Sequence, residues 1–393
     1  MTDRLYYSDA YLREFDARVE RAGFADGRHV VVLDRTAFYP TSGGQPFDVG
    51  MLGSTRVLDV IDDESGILHV VDAPLVEGEV AHGAIDWKRR FDHMQQHTGQ
   101  HVLSAAFDRL LGARTESFHL GTLSATIDLS RTVSAEEIAH AEEDANRMVW
   151  EDRPVAIRFA DAAEAAALPL RKESQRSGTL RLIDIEGVDI SACGGTHVGR
   201  TGAIGVIAVS GWEKFRGGMR IEFLCGGRAL GAYRSLRDAA MASNKLLSVL
   251  PSELPAAIER LQSDVKAANR TIRDLQSRLA GHEAERLISQ SSAETRIIVE
   301  VLEGWDQPGL KAIASAITRH AGYAAVLISA PAPAAVVVAR AADAATDAAA
   351  VLRNLIDRFG GKGGGRPELA QGGGLNGDPQ EIAFAARRVL EPG

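Results

Sequence analysis

The strongest constraint on the fold is a helical segment that carries three evenly spaced histidines. The stretch FDHMQQHTGQHVLSAAFDRLLG begins at Phe91, is apolar at helical intervals and stops at Gly112, which predicts an amphipathic helix. It places His93, His97 and His101 at i, i+4 and i+8, on one helix face. Adjacent pairs on such a face can reach a single metal ion. One pair alone is weak evidence, because core and solvated histidines also fall at this spacing.

A second motif, CGGTHV at residues 193–198, supplies complementary donors. Cys193 and His197 offer a thiolate and an imidazole four residues apart, and the two glycines between them free the backbone to bring both side chains to one point. Two imidazoles from a helix, with a thiolate and an imidazole from a turn, complete a tetrahedral zinc set. The sequence therefore predicts a Zn²⁺ site that joins two distant segments.

Short β-branched runs separated by turn residues precede the histidine helix. HVVVLDRTAFY, TRVLDVI and GILHVVDA predict strands, and their spacing suggests a small β-barrel or sandwich over residues 1–90. Strands and helices then alternate to residue 227. They include SAEEIAHAEEDANRMVWE, in which Ser134 and Glu137 form a capping box. We therefore expect a zinc-containing α/β domain over residues 91–227.

Residues 251–287 carry a heptad repeat typical of a coiled coil. The apolar positions that recur every seven residues are Leu254, Ile258, Leu261, Val265, Ala268, Ile272, Leu275 and Leu279. This seam must pack on something, and a helical hairpin with residues 228–249 and a homodimer contact both stay open. Gly281 marks an end or a kink. We expect a helical arm over residues 228–290.

Residues 291–393 predict a small C-terminal α/β domain. Strand-like RIIVEVL, AAVLISA and AAVVVARA alternate with helical runs such as ATDAAAVLRNLIDRFG, which indicates a parallel α/β unit. The following GGKGGGRPELAQGGG is too glycine-dense for regular structure, so we expect a loop. It is not a nucleotide P-loop, because Lys362 is followed by glycine and no GxxxxGK[ST] is present. Its backbone amides, with Lys362 and Arg366, can cradle RNA phosphates.

Length and composition indicate a multidomain globular protein of the α+β class. The chain has 393 residues, 45% hydrophobic and 25% charged, too many for one ordinary core. Two cysteines exclude a disulfide scaffold and fit a reducing, cytoplasmic compartment. No secretion signal or unbroken membrane span is present, so no membrane partner is expected. The net charge of −9 argues against nucleic acid, but this whole-chain sum hides local basic clusters.

Several motifs resemble the editing domain shared by alanyl-tRNA synthetases and the free-standing AlaX proteins. The resemblance lies in RRFDHMQQHTGQHVLS, SACGGTHVGRTGAIGV, the glycine motif TAFYPTSGGQPFDVG, and TESFHLG, which is closer to AlaX. GGKGGGRPELAQGGG resembles the glycine-rich signature of the synthetase carboxy-terminal domain, which also occurs on DHH-type phosphoesterases. The motifs follow the family's order across nearly the whole chain, and the resemblance is close to the long form of AlaX.

The resemblance implies a zinc-dependent hydrolase that removes serine, and in some cases glycine, from mischarged tRNA specific for alanine. It implies the zinc ligands His97, His101, Cys193 and His197. His93 lies outside the family's ligand pair. Four protein ligands close a tetrahedral site, whereas a catalytic zinc keeps an open position. Either Cys193 yields to water or substrate, or the ion expands to five ligands, and we favour a labile Cys193.

Two residues in and beside the glycine motif are the candidates for selecting serine. A pocket that hydrogen-bonds the serine hydroxyl discriminates better than one that measures size. Thr36 and Gln45 are the candidates for that contact and for positioning water, and the resemblance supports Thr36 more. Ordinary turn and strand polarity is the alternative explanation for both residues.

Basic residues cluster beside the motifs and suggest an RNA surface. They are Lys88, Arg89 and Arg90, then Arg171, Lys172 and Arg176 with Arg181 close behind, and finally Lys214, Arg216 and Arg220. Clusters that flank one zinc site suit phosphates and a stacked terminal base. By the family parallel, Lys362 and Arg366 contact the outer corner of tRNA.

Other functions stay open at this point. A non-catalytic tRNA-binding protein with structural zinc predicts tight RNA binding without deacylation, and a zinc-dependent hydrolase of another ester is the enzymatic alternative. A complete synthetase is not expected, because the chain begins almost directly at the editing module. A DHH-type phosphoesterase would need clustered Asp and His motifs near the amino terminus, for which DHM at Asp92 is a poor substitute.

Overall fold

The computed structural model describes residues 2–63, 66–171, 178–291, 295–330 and 332–390. The chain divides into two compact units, Met1–Ala242 and Ser243–Gly393. Both units combine helices and strands, which confirms the mixed α+β class. The finer division into four domains stays a prediction.

The elements of the first unit run in chain order from one short strand to a long helix. Its strands are β1 (Asp3–Arg4), β2 (Glu14–Ala25), β3 (Arg28–Leu33), β4 (Arg35–Thr36), β5 (Gly50–Leu52), β6 (Thr55–Asp63), β7 (Gly66–Val71), β8 (Val80–Ile85), β9 (Thr115–Leu120), β10 (Ala125–Leu129), β11 (Val155–Ala160), β12 (Leu180–Ile185), β13 (Asp189–Ala192), β14 (Ile207–Phe215) and β15 (Gly218–Cys225). Its helices are α1 (Trp87–Leu111), α2 (Ala135–Trp150), α3 (Ala162–Ala166) and α4 (Gly227–Leu247), the last of which continues past the unit boundary.

Six antiparallel strands near the amino terminus close a barrel in the order β2-β3-β7-β6-β5-β8. Along β2, Phe15, Ala17 and Val19 are buried and the residues between them are exposed, as the two-residue period of a strand requires. The last barrel strand leads directly into α1, so the barrel fixes where the histidine helix begins.

The histidine helix α1 has the termini that its sequence predicts. Asp86 caps the first turn by accepting a hydrogen bond from the Arg89 amide, and Gly112 ends the helix with a left-handed φ of 60°. The capping box of Ser134 and Glu137 at the start of α2 is also confirmed. Both helices pack in one core with the sheet β14-β15-β10-β9, and a separate antiparallel sheet, β11-β12-β13, leads to Cys193.

The second unit begins with the long helix α5 (Leu254–Gln290) and continues with a small mixed domain. The later elements are β16 (Ile297–Leu302), α6 (Gln307–Ile317), β17 (Ala324–Ser329), β18 (Ala334–Arg340), α7 (Ala348–Phe359), β19 (Lys362–Arg366), β20 (Leu369–Leu375) and α8 (Pro379–Leu390). Helix α5 continues through Gly281, so the helix does not end there, and the alternative of a kink stays a prediction. Its heptad seam residues from Ile258 to Leu279 are exposed, whereas Ala280, Ala284 and Leu287 lie in the core of this unit.

The C-terminal sheet differs from the prediction in two respects. Its order is β16-β17-β18-β20-β19, and among the described strands of this sheet only β16 and β17 pair in parallel. The glycine-rich segment forms the hairpin β19–β20 rather than a loop. The glycines let the two backbones approach, because a Cβ at Gly363 would lie 2.5 Å from the Gly372 Cα. Strand β18 pairs with β20 and satisfies backbone hydrogen-bonding groups of the hairpin. Local composition does not reveal such a distant partner.

Candidate metal centre

Four donor atoms from α1 and from the turn after β13 converge in the first unit. The ligand atoms of His97, His101, Cys193 and His197 all lie within 4.8 Å of one another. The Cys193 Sγ atom is 3.4 Å from His97 Nε2 and 3.3 Å from His197 Nε2. Tetrahedral zinc with bonds of about 2.0–2.3 Å separates its ligands by about 3.3–3.8 Å. The residues present therefore fit Zn²⁺.

Each of the three imidazoles is held from behind through its Nδ1 atom. The contacts join His97 to Gln45 Oε1 at 2.8 Å, His101 to Asp189 Oδ2 at 2.7 Å, and His197 to Thr98 Oγ1 at 3.2 Å. Such partners fix the orientation and tautomer of metal-bound histidines and leave Nε2 free for the ion. The same arrangement around all three rings is further support for a metal centre.

The electrostatic environment favours a thiolate among imidazoles. Burial alone would raise the pKa of the Cys193 thiol, but the imidazoles of His97 and His197 hold that pKa well below its usual range. Burial lowers the pKa of His197 to about 3. Burial also opposes protonation of His101, yet its hydrogen bond to Asp189 raises its pKa to about 9. A thiolate is the form of cysteine that binds metal.

The two glycines of the CGGTH turn have different steric surroundings. A Cβ at Gly195 would overlap the His97 imidazole ring, whereas a Cβ at Gly194 would lie 3.5 Å from the Tyr7 hydroxyl, an ordinary contact. Neither glycine has the left-handed φ that would by itself require glycine. Close approach of the turn to His97 is thus the reason for Gly195.

The donor cluster opens on a cavity of about 710 Å³, a volume typical of small-molecule sites. Three of the donors, His97, His101 and Cys193, line its wall. Phe118 of β9 also lines it and stacks on the His97 ring with centroids 5.3 Å apart. The cluster therefore has one side from which a ligand can approach.

The structure does not place the two glycine-motif candidates in the wall of this cavity. Thr36 is fully buried, and its hydroxyl lies 2.8 Å from the Nε2 atom of His69. Both polar atoms of the Gln45 side chain are hydrogen-bonded to neighbouring residues, since Oε1 accepts from His97 and Nε2 donates to Thr196. Gln45 therefore orients the candidate metal ligand His97, and a contact of either Thr36 or Gln45 with substrate stays a prediction.

The supporting residues Asp189 and Thr98 were not predicted from the sequence. Asp189 binds His101 and also accepts a hydrogen bond from Arg171 at 2.8 Å. The sequence offers one weak signal for each of these supporting roles. Asp189 is an acidic residue in a strand-like run, and Thr98 directly follows His97. His93 is buried outside the four-donor group, and burial lowers its pKa to about 3.

Arg90 is buried in the structure, unlike the exposed position that the predicted RNA contact requires. Its side chain is fully buried and bound to the equally buried Asp48, with Nε 3.0 Å from Oδ2. It also donates to the backbone carbonyls of Ala10 and Ala37. The physical reason is a compensating carboxylate 42 residues earlier in the chain, which local sequence does not reveal. Arg90 joins α1 to the barrel side of the unit.

The other predicted RNA-binding residues fall into three groups. Those exposed are Lys88, Lys214, Arg216, Lys362 and Arg366. Those partly buried and engaged are Arg89 with the Phe47 carbonyl, Arg171 with Asp189, and Arg220 with Asp128. Lys172 and Arg176 lie outside the described residues. The exposed group is therefore the stronger basis for an RNA surface.

No described helix is both long and apolar enough to cross a membrane.

Three buried imidazoles and a partly buried cysteine, open to a cavity on one side, form a candidate metal centre that a ligand can approach. Three family models match this chain. They are the tRNA synthetases class II (A) family over residues 10–89, the threonyl and alanyl tRNA synthetase second additional domain over residues 180–222, and the DHHA1 domain over residues 294–391.

Relatives extend over nearly the whole chain. Alanyl-tRNA editing protein AlaX-L of Pyrococcus horikoshii is 32% identical over 99% of this chain and 98% of its own length. An alanine–tRNA ligase of Pyrococcus furiosus is 36% identical over 94% of this chain, which spans 42% of that protein. The chain belongs to the AlaX-L family of alanyl-tRNA editing proteins, which confirms the resemblance.

Among solved structures, the C-Ala domain from Aquifex aeolicus alanyl-tRNA synthetase matches 25% of this chain and 91% of its own, at 23% identity and a TM-score of 0.23. A score this low adds nothing to the family relation.

Proposed function

We propose that this protein is a cytoplasmic trans-editing hydrolase that deacylates mischarged tRNA specific for alanine at a zinc site. Its main substrate is the seryl ester, and the glycyl ester is a second one. The observation that supports this best is the convergence of His97, His101, Cys193 and His197 at the wall of a cavity. The family relation supplies the class of substrate.

The residues of the chain divide the work of ester hydrolysis. Zinc, when bound, would polarise the ester carbonyl and lower the pKa of water. Gln45, Asp189 and Thr98 orient the three imidazoles through Nδ1. Phe118 closes one side of the cavity against the His97 ring and limits the water that surrounds the ester.

The test of the function is incubation of the protein with seryl-, glycyl- and alanyl-tRNA specific for alanine. We expect rapid loss of serine and retention of alanine, and the rate on the glycyl ester shows whether it is a second substrate. Equal rates on all three esters would indicate a hydrolase without editing specificity. Tight binding of tRNA with no deacylation would indicate a binding protein with structural zinc. Either result would contradict the proposal.

Cys193 is proposed to be a labile ligand. It is the one donor that is only partly buried, and it lines the cavity. We expect Cys193→Ala to keep zinc, held by three imidazoles, and to retain deacylation. Zinc per chain and turnover on seryl-tRNA measure this, with His101→Ala as the control that loses both. Loss of both in Cys193→Ala would contradict lability and favour an ion that expands to five ligands.

The exposed basic residues are proposed to contact RNA phosphates despite the net charge of −9. They are Lys88, Lys214, Arg216, Lys362 and Arg366. In a plot of log affinity against the log of the salt concentration, each phosphate contact makes the slope more negative by about 0.7–0.9. Arg216→Gln should therefore make the slope of log kcat/KM against log salt concentration shallower by about the amount that one phosphate contact contributes. An unchanged slope would remove Arg216 from the RNA surface.

The heptad seam of α5 is proposed to form a homodimer. Six of its apolar side chains, from Ile258 to Leu279, are 43–57% exposed, and a coiled-coil partner would cover them. Val265→Asp with Ile272→Asp should convert dimers to monomers in analytical ultracentrifugation. The matched control is Ser263→Asp with Ser277→Asp, two exposed changes on the opposite side of the repeat. A monomeric wild-type protein at all concentrations would contradict the dimer.

A further inference from the structure

We propose that Arg181 binds the phosphodiester group that precedes the terminal ribose of the substrate, in a subsite beside the zinc cluster. The proposal rests on the proposed function, because it takes an aminoacyl ester of an RNA end as the substrate. It assigns a role to a residue that is not one of the proposed zinc ligands and that holds none of the three imidazoles through Nδ1.

Arg181 is held rigidly in the cavity wall with one nitrogen left unused. Its side chain is 8% exposed and lines the cavity together with Tyr7 and Cys193. Nε donates to the Tyr7 carbonyl at 2.9 Å, and Nη1 donates to the Cys193 carbonyl at 2.6 Å. Nη2 is buried and has no hydrogen-bond partner. An unsatisfied buried donor on a cation is costly, and an arriving anion would satisfy it.

The charge of Arg181 has no carboxylate partner, and the anionic group that acts on it is the Cys193 thiolate, a proposed zinc ligand. The other arginine in the cavity wall, Arg171, has Asp189 as a partner at 2.8 Å, whereas no carboxylate pairs with Arg181 among the residues that the structure describes. Burial lowers the pKa of Arg181, which shows the cost of keeping this cation in place. A buried cation is expected to have a counter-charge, and here a substrate anion would supply it.

The chemistry of the substrate indicates which anion this is. The aminoacyl ester and the 5′-phosphate of one terminal nucleotide stand on the same ribose. Cys193 contributes its thiolate to the donor cluster and its carbonyl to Arg181, so the guanidinium lies next to the ester site. Guanidinium groups match phosphate oxygens in geometry and charge.

An aromatic surface lies beside the same guanidinium. The Tyr7 ring centroid is 5.4 Å from the Arg181 Cζ atom and 5.5 Å from that of Arg4. Unpaired bases at RNA ends stack on such rings. A cation for the phosphate and a ring for the base, both next to the zinc cluster, together suit the terminal nucleotide.

The experiment removes the charge from each side of the contact separately. Seryl-tRNA with a normal terminal linkage is compared with seryl-tRNA whose last linkage is a neutral methylphosphonate, using wild-type protein and Arg181→Gln. In the wild type, we expect the methylphosphonate to lower kcat/KM by roughly 10- to 100-fold, mainly through KM. In Arg181→Gln, the two substrates should differ by less than about twofold, because the partner is gone.

Three controls separate the outcomes. Arg181→Lys keeps the charge and should restore part of the discrimination, and zinc content with thermal melting checks that both variants fold. Arg158→Gln changes an arginine on the adjacent strand that is outside the cavity wall and paired with Asp184, and it should retain the full wild-type effect. Normal seryl-tRNA left intact by the wild type would contradict the proposed function itself.

Two results would overturn the subsite while deacylation persists. One is a wild-type protein that hydrolyses both substrates equally well. The other is an Arg181→Gln variant in which kcat/KM falls by the same factor on both substrates, so that the ratio of the two values stays as in the wild type. That pattern would assign Arg181 to the reacting carbonyl or to the support of the Cys193 turn.

Discussion

Gly195→Ala should abolish zinc binding and deacylation in a chain that still folds. The added Cβ would overlap the His97 ring and the turn cannot move away without displacing Cys193 and His197, which lie on either side of it. Zinc content by atomic absorption should fall from one ion per chain to a small fraction of that. Turnover on seryl-tRNA should fall by at least about 100-fold, since a 1 Å misplacement of a reacting group costs about that much.

The neighbouring glycine provides the matched control. Gly194→Ala makes the same chemical change one residue earlier, where the added Cβ meets only the Tyr7 hydroxyl at 3.5 Å. We expect it to keep zinc and to stay within about threefold of wild-type turnover, which corresponds to less than about 1 kcal/mol. Equal damage from both substitutions would show that the turn requires glycine for backbone freedom and would contradict the steric explanation.

Arg90→Met should destabilise the first unit by about 3–5 kcal/mol, because it leaves the Asp48 carboxylate buried without its cationic partner. Urea denaturation measures the loss as a lower transition midpoint at unchanged slope. Arg89→Met is the control, since Arg89 is only partly buried and its Nε donates to one carbonyl, that of Phe47. It should cost about 1 kcal/mol.

A second substitution tests the cause of the loss at Arg90. Combining Arg90→Met with Asp48→Leu removes both buried charges, so it should recover part of the stability. A double variant that is less stable than Arg90→Met alone would show that Asp48 acts chiefly through its hydrogen bond to the Tyr39 amide. If Arg90→Met lowered the free energy of unfolding by less than about 1 kcal/mol, the ion pair would contribute little to stability.

The donor set was predictable because its information is local. Helical spacing places His97 and His101 on one face, and the CGGTH turn places Cys193 and His197 together, so each half is specified within a few residues. The structure brings the halves to within 4.8 Å. The supporting residues were less predictable: Gln45 lies 52 residues before His97, and Asp189 lies 88 residues after His101.

The incorrect predictions share a physical cause. Arg90 belongs by sequence to a basic cluster, yet a carboxylate from before α1 neutralises it in the interior. The glycine-rich segment lacks any local strand signal, yet β18 and β20 pair and the hairpin extends their sheet. Neighbouring residues do not encode which distant group will compensate a charge or complete a row of hydrogen bonds.

The sequence by itself determined the ends of α1, the capping box of α2 and the mixed class, because capping and helical spacing act over one or two turns. Spacing limited the helical donors to His93, His97 and His101, and the family resemblance selected the last two. The tertiary structure alone decided which cations are available to a substrate. It neutralised Arg90, Arg171 and Arg220 with Asp48, Asp189 and Asp128 and left Arg181 with an unused donor in the cavity wall. Burial and charge pairing are properties of contacts between distant segments, so they appear only once the chain has folded.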